Sequence, residues 1–323
     1  MTINLLIFIH GITPEIEPAP HRPLYEKFWA ALRREQPPLT GSISELAFVE
    51  WGNRIRPGEP RPDERLSDAE RRIHRLVQYD SVQRLPGPNN QVLGALGDWN
   101  LLPGVRPVIR TVREQLVQFG LADAIYYASE DGERAVRLAV YGQVLAQLRA
   151  FREESDVRLH VVAHSLGVTV SHDFLFGMFG KATRPDFLAQ AESDLDRADY
   201  AHWRERAQRG QLGLGSFVSM ASQLPLFVLR KQLLVDRLAA GGVLDPADIG
   251  IPNDGEVHWL VFYDVDDALG FATRELYGSG PTIRQLQVDA GDSPVHAHTA
   301  FWDNAEVIAE TAALIARQSG GRT

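Results

Sequence analysis

The sequence predicts an α/β protein with a mostly parallel central sheet and helices on both faces. Three observations predict it. Short, predominantly apolar runs at residues 5–9, 159–163 and 257–263 have the pattern of strands buried on both faces. Stretches with apolar residues at helical spacing lie between such runs, so strand and helix alternate along the chain. Hydrophobic residues make up 44% of the 323, enough to bury a sizeable core.

The run at 5–9 ends in His10-Gly11. Residues 23–34 follow as a helix, with Leu24, Tyr25, Phe28, Trp29 and Leu32 along one stripe. Residues 43–51 are strand-like, until Pro57, Pro60 and Pro62 break regular structure. From 53 to 127 the chain is rich in Pro, Gly, Arg and Asn, yet carries an apolar patch at Trp99, Leu101 and Leu102 and a helix-like stretch at 105–119. That many apolar residues need a surface to cover, so the segment reads as an inserted cap on a single domain of residues 1–323. Residues 134–151 form an amphipathic helix. The strand at 159–163 runs into an apolar helix ending near Met178, and the charged stretch 181–211 reads as a second insertion. Further strands are expected at 214–220, 257–263 and 282–288, and helices at 226–239, 269–277 and 304–316.

The formal net charge of −9 argues against a nucleic-acid partner, which needs a basic face. There is no cysteine, so disulfides, thiolate metal sites and cysteine nucleophiles are excluded. No apolar stretch approaches the length of an integral membrane segment, and the first residues lack the basic start of a signal peptide. A cytoplasmic location is the expectation. No His-Glu-x-x-His occurs, so no metal or other cofactor is called for.

The strongest chemical signal is Ala163-His164-Ser165-Leu166-Gly167, set between an apolar strand and an apolar helix. A serine on a sharp strand-to-helix turn needs small residues two before and two after, and Ala163 and Gly167 are small. In this the sequence resembles the α/β-hydrolase family, in particular its bacterial esterases and lipases. The family's elbow is usually Gly-x-Ser-x-Gly, so Ala163 is a departure. The resemblance implies the α/β-hydrolase fold with Ser165 as nucleophile. It extends to Phe8-Ile9-His10-Gly11-Ile12, whose counterpart in the family lies beside the elbow. By that match the N–H groups of Ile12 and Leu166 form the oxyanion hole, while His10 and Gly11 support the loop.

The family's order is serine, acid, histidine. Three carboxylates, Asp264, Asp266 and Asp267, follow the strand ending at Tyr263. Asp267 fits the family's acid best, then Asp264, then Asp266. A helix N-cap or a calcium-binding loop are other uses for such a cluster. His298-Thr299-Ala300-Phe301-Trp302 resembles the pattern around the histidine of related bacterial hydrolases, in a loop before the last helix, with His296 as the second choice.

The implied activity is cleavage of a small-molecule or lipid-like carboxylic ester through an acyl-enzyme on Ser165. Thioester or amide hydrolysis and acyl transfer would use the same groups. A binding protein that keeps the fold without the chemistry is the alternative of a different class.

Overall fold

The computed structural model describes residues 2–11, 21–51, 127, 130–181, 194–228, 232–267, 269–291 and 294–320. Chain contacts divide the protein into two units, Met1–Ile55 with Asp123–Thr323, and Arg56–Ala122. The cap assigned to 53–127 lies, except for Tyr127, outside the described residues.

Six strands form one sheet: β1 (Ile3–Ile9), β2 (Glu45–Val49), β3 (Val157–His164), β4 (Leu212–Met220), β5 (Trp259–Tyr263) and β6 (Ile283–Gln287). Their order is β2-β1-β3-β4-β5-β6, and every neighbouring pair is parallel. The direction of winding reverses between β1 and β3. At such a switch point the connections leave a crevice at the strands' C-terminal ends.

Side chains of β1 alternate between two cores. Leu5, Ile7 and Ile9 point into one, Leu6 and Phe8 into the other. This is the period-2 geometry of a strand covered on both faces. The first core is shared with α3 (Glu130–Arg149), α4 (Leu166–Phe179) and α5 (Asp194–Gln208), through residues such as Val140, Val170 and Trp203. The second is closed by α1 (Arg22–Glu35), which packs beside α9 (Ala305–Ser319), through Phe28, Leu32 and Ile315. Pro23 sits in the first turn of α1, where no N–H is needed. The Asn304 side chain accepts the Glu306 and Val307 N–H groups and starts α9, a cap worth about 1 kcal/mol.

The remaining helices among the described residues are α2 (Leu39–Ser42), α6 (Leu224–Val228), α7 (Gln232–Ala239) and α8 (Pro294–Thr299). The stretch expected as one helix at 226–239 is thus represented by α6 and α7. The charged stretch 181–211 carries α5, whose Tyr200 and Trp203 are buried and whose Asp199 accepts from Arg149 and Arg152. The expected helix at 269–277 is not formed; only a 3₁₀ turn, Arg274–Tyr277, occurs there. Its backbone is drawn elsewhere. The Phe271 N–H donates to the Ser222 carbonyl, and the N–H groups of Thr273 and Arg274 both donate to Gln285 Oε1 on β6. Among the described residues no helix is long and apolar enough to cross a membrane.

His160 on β3 is fully buried, its ring held between Ser216 Oγ at 2.9 Å and Asn4 Oδ1 at 3.2 Å. Burial pushes its pKa down to about 3, with lesser help from Arg158. A histidine that is neutral when folded and has an ordinary pKa when unfolded takes up a proton on unfolding in acid. Its stabilisation is present above pH 6.5 and is lost as pH falls from there toward 3. Each such histidine contributes a slope of about 1.4 kcal/mol per pH unit in that window. Urea unfolding of His160→Gln between pH 6 and pH 4 is expected to show a slope shallower than wild type by about that amount. An unchanged slope would mean that His160 is protonated in the fold.

Candidate active site

Ser165 caps the N-terminus of α4 with φ 53° and ψ −127°, a conformation that L residues seldom adopt. Its N–H donates to the Met220 carbonyl of β4, and its carbonyl accepts from Val168 at the start of α4. The strained turn is therefore held from both sides.

The approach to this turn leaves no room for side chains. A Cβ on Gly11 would lie 2.5 Å from Ser165 Cβ and 3.0 Å from its Oγ. One on Gly167 would collide with the His10 carbonyl oxygen and lie 2.7 Å from that of Ile9. The end of β1 and the first turn of α4 thus touch backbone to backbone. The small residue at position 167 that the turn chemistry demanded is used for this contact.

Ser165 belongs to a chain of hydrogen bonds. His298 Nε2 lies 2.8 Å from Ser165 Oγ, and His298 Nδ1 lies 2.9 and 3.0 Å from the two carboxyl oxygens of Asp267. With the Nδ1 proton donated to Asp267, Nε2 is left to accept the hydroxyl proton. Asp267 Oδ1 also accepts the Leu269 N–H. Asp267 is buried, and the His298 side chain is 13% exposed.

Of the three loop carboxylates, Asp264 is buried but committed elsewhere. Its Oδ1 accepts from the Asp266 N–H and its Oδ2 from the Ala290 N–H at 2.6 Å, tying the loop after β5 to the chain after β6. Asp266 is exposed. His296 is exposed and His298 is the histidine brought to Ser165. His298 lies on the short helix α8 rather than in a loop, since the chain from Pro294 turns helical before the 3₁₀ turn Ala300–Asp303. Phe301 and Trp302 are buried behind it. Trp302 meets Phe28 edge-on at 5.2 Å and Tyr25 at 5.5 Å, which fixes this segment to α1.

The Leu166 N–H lies at the N-terminus of α4 and has no hydrogen-bond partner among the described residues. Ile12 lies outside the described residues. His10 donates from Nδ1 to the Gly11 carbonyl at 2.6 Å and accepts the Trp51 N–H on Nε2 at 3.3 Å. Its ring is stacked between those of His21, at 3.7 Å, and Trp51, at 5.3 Å. Burial holds its pKa well below the usual value, with His21 adding to the effect, so it is neutral. The stack of His10, His21 and Trp51 had no signal in the sequence, because its members come from three separate elements. Among the described residues no three His, Asp or Glu side chains are grouped to hold a metal ion.

Comparison with protein-family models, with curated proteins and with solved structures finds no match to this chain.

Gly270 lies behind Asp267. A Cβ there would collide with Asp267 Oδ2 and lie 2.9 Å from its Cγ and 3.0 Å from Ala221 Cα. Gly270→Ala should displace the carboxylate from His298 while the sheet persists, at a stability cost of about 1–3 kcal/mol. In wild type, proton NMR should show a low-field imidazole N–H resonance from the His298–Asp267 bond. That resonance is expected to disappear in Gly270→Ala with circular dichroism unchanged. Its persistence would show that Asp267 tolerates the methyl group in place.

Proposed function

We propose that this protein is a serine hydrolase of the α/β-hydrolase type that cleaves carboxylic esters. The observation that carries this reading is the continuous chain Ser165–His298–Asp267, with Nε2 at 2.8 Å from the hydroxyl and Nδ1 on the carboxylate. A nucleophile, its base and the group orienting that base stand in hydrogen-bond reach, the requirement for activating a serine.

In this reading His298 removes the Ser165 proton as Oγ attacks the acyl carbon. The negative charge that develops on the carbonyl oxygen falls beside the free Leu166 N–H at the N-terminus of α4, where the helix dipole favours it. The family resemblance supplies the Ile12 N–H as second donor. As the tetrahedral intermediate collapses, the alkoxide takes the proton from His298 and leaves as the alcohol. Water then attacks the acyl-enzyme with His298 as base, releasing the acid and restoring Ser165. Asp267 holds the imidazole in the required tautomer throughout and balances the charge that His298 carries in each transition state.

The place of Ser165 at the C-terminal end of β3, beside the switch point, supports the same reading, since open α/β sheets present ligands there. So does the strained conformation of Ser165, which an ordinary strand-to-helix turn has no reason to maintain.

Reaction with a fluorophosphonate and with p-nitrophenyl esters of increasing chain length tests the proposal. Wild type should be labelled on Ser165 and hydrolyse the esters. Ser165→Ala should lose labelling and on the order of 10⁴–10⁶-fold in rate while staying folded. Asp267→Asn should lose on the order of 10⁴-fold in kcat. Asp264→Asn should lose much less, its effect appearing as lowered stability. Hydrolysis near wild type in Ser165→Ala would overturn the proposal, and an unlabelled, inactive wild type would favour a binding protein.

A further inference from the structure

His298 is the one member of the hydrogen-bonded chain that the sheet does not hold. Ser165 follows β3 directly, and Asp267 lies four residues past β5. His298 instead sits on a six-residue helix, α8, separated from the last strand. Helices so short have little stability of their own. Something outside α8 must set the position of its backbone if Nε2 is to stay at 2.8 Å from Ser165 Oγ.

Trp302 ties the following turn to α1, and the residue next to Ser165 reaches the backbone of α8 itself. His164 Nε2 donates to the backbone carbonyl of His298 at 2.6 Å. That carbonyl lies in the last turn of α8, where helical carbonyls lack partners within the helix. The His164 ring is buried, packed 5.1 Å from the His298 ring and about as close to Phe301 and Trp302, with centroid separations of 6.2 and 5.9 Å. Consecutive residues therefore grip the same histidine. His164 holds its backbone and Ser165 meets its side chain.

We infer that His164 is a positioning residue that clamps the backbone of His298 and so sets the distance over which the proton leaves Ser165. The inference rests on the hydrolase reading above. The ring must be uncharged with its proton on Nε2. Burial, and next the neighbouring His298, push the His164 pKa down to about 3. A neutral ring also adds no positive charge beside the imidazolium that forms on His298.

Glutamine can place an N–H near the position of His164 Nε2, whereas phenylalanine keeps a ring without a donor. With p-nitrophenyl butyrate as substrate, His164→Phe is expected to lose about 100-fold in kcat, the scale of a misplacement near 1 Å. KM should change by less than about threefold, because the clamp acts on the base and not on binding. His164→Gln should recover kcat to within about tenfold of wild type. His164→Met, unbranched and without a donor, replaces the Phe variant if that chain does not fold. Thermal unfolding is recorded for each. A folded donor-less variant with wild-type kcat overturns the clamp, and so does a His164→Gln as slow as the donor-less chain. A wild type that neither hydrolyses the ester nor takes a fluorophosphonate on Ser165 overturns the hydrolase reading, and this inference with it. Normal labelling of wild type with unaffected kcat in His164→Phe overturns the clamp alone.

Discussion

The contact between the end of β1 and the first turn of α4 is the constraint on which the rest of the site depends. Gly11 lies against Ser165 and Gly167 against the carbonyls of Ile9 and His10, and neither has space for a methyl group. Winding reverses between β1 and β3, so α1 and α4 pack on opposite faces of the sheet, and the end of β1 meets the first turn of α4. The close approach presses the chain after β1 against Ser165 and helps to hold its unusual φ and ψ. A conformation of that kind costs about 1–3 kcal/mol and persists only where neighbours over-determine it. Here the neighbours are the Met220 carbonyl, the Val168 N–H and the backbone of β1.

Burial then divides the histidines by role. His10, His160 and His164 are enclosed and neutral, each with its ring engaged by hydrogen bonds. They act as shaped donors and acceptors. His298 is partly exposed, with Asp267 on one nitrogen and Ser165 on the other. The acidic loop is divided in the same way. Asp264 holds two backbone N–H groups and Asp266 faces solvent, which leaves Asp267 for the imidazole.

The strands and the Ser165 turn were legible because their signals are local. A predominantly apolar run of a few residues encodes double-sided burial, and small residues flanking a serine encode the room that a sharp turn needs. Asp267 could be ranked above Asp264 only by resemblance. The two lie three positions apart in one loop, and what separates them in space is the Ala290 N–H, which comes from beyond β6. The stretch 269–277 has a helical pattern, but Gln285 and Ser222 capture its N–H groups. That competition between local preference and tertiary contact has no trace in the stretch itself. Nor could the spacing of His10, His21 and Trp51 disclose that the three rings stack.

Parallel strands deliver their C-terminal ends to one edge, so Ser165 and Asp267 arrive at the same place through the sheet's own hydrogen-bond ladder. His298 does not share that ladder. Its helix is tied to the body by rings, Trp302 against Phe28 and Tyr25, and by the His164 donor. Ladder hydrogen bonds fix a backbone at every second residue, whereas α8 is fixed at a few points by side chains. The geometry of the chain is therefore set most loosely at His298, and residues outside the Ser165–His298–Asp267 chain hold the imidazole toward the serine. The buried aromatic pair after His298 and the histidine before Ser165 therefore help to place the imidazole, although each resembles ordinary core packing when considered alone.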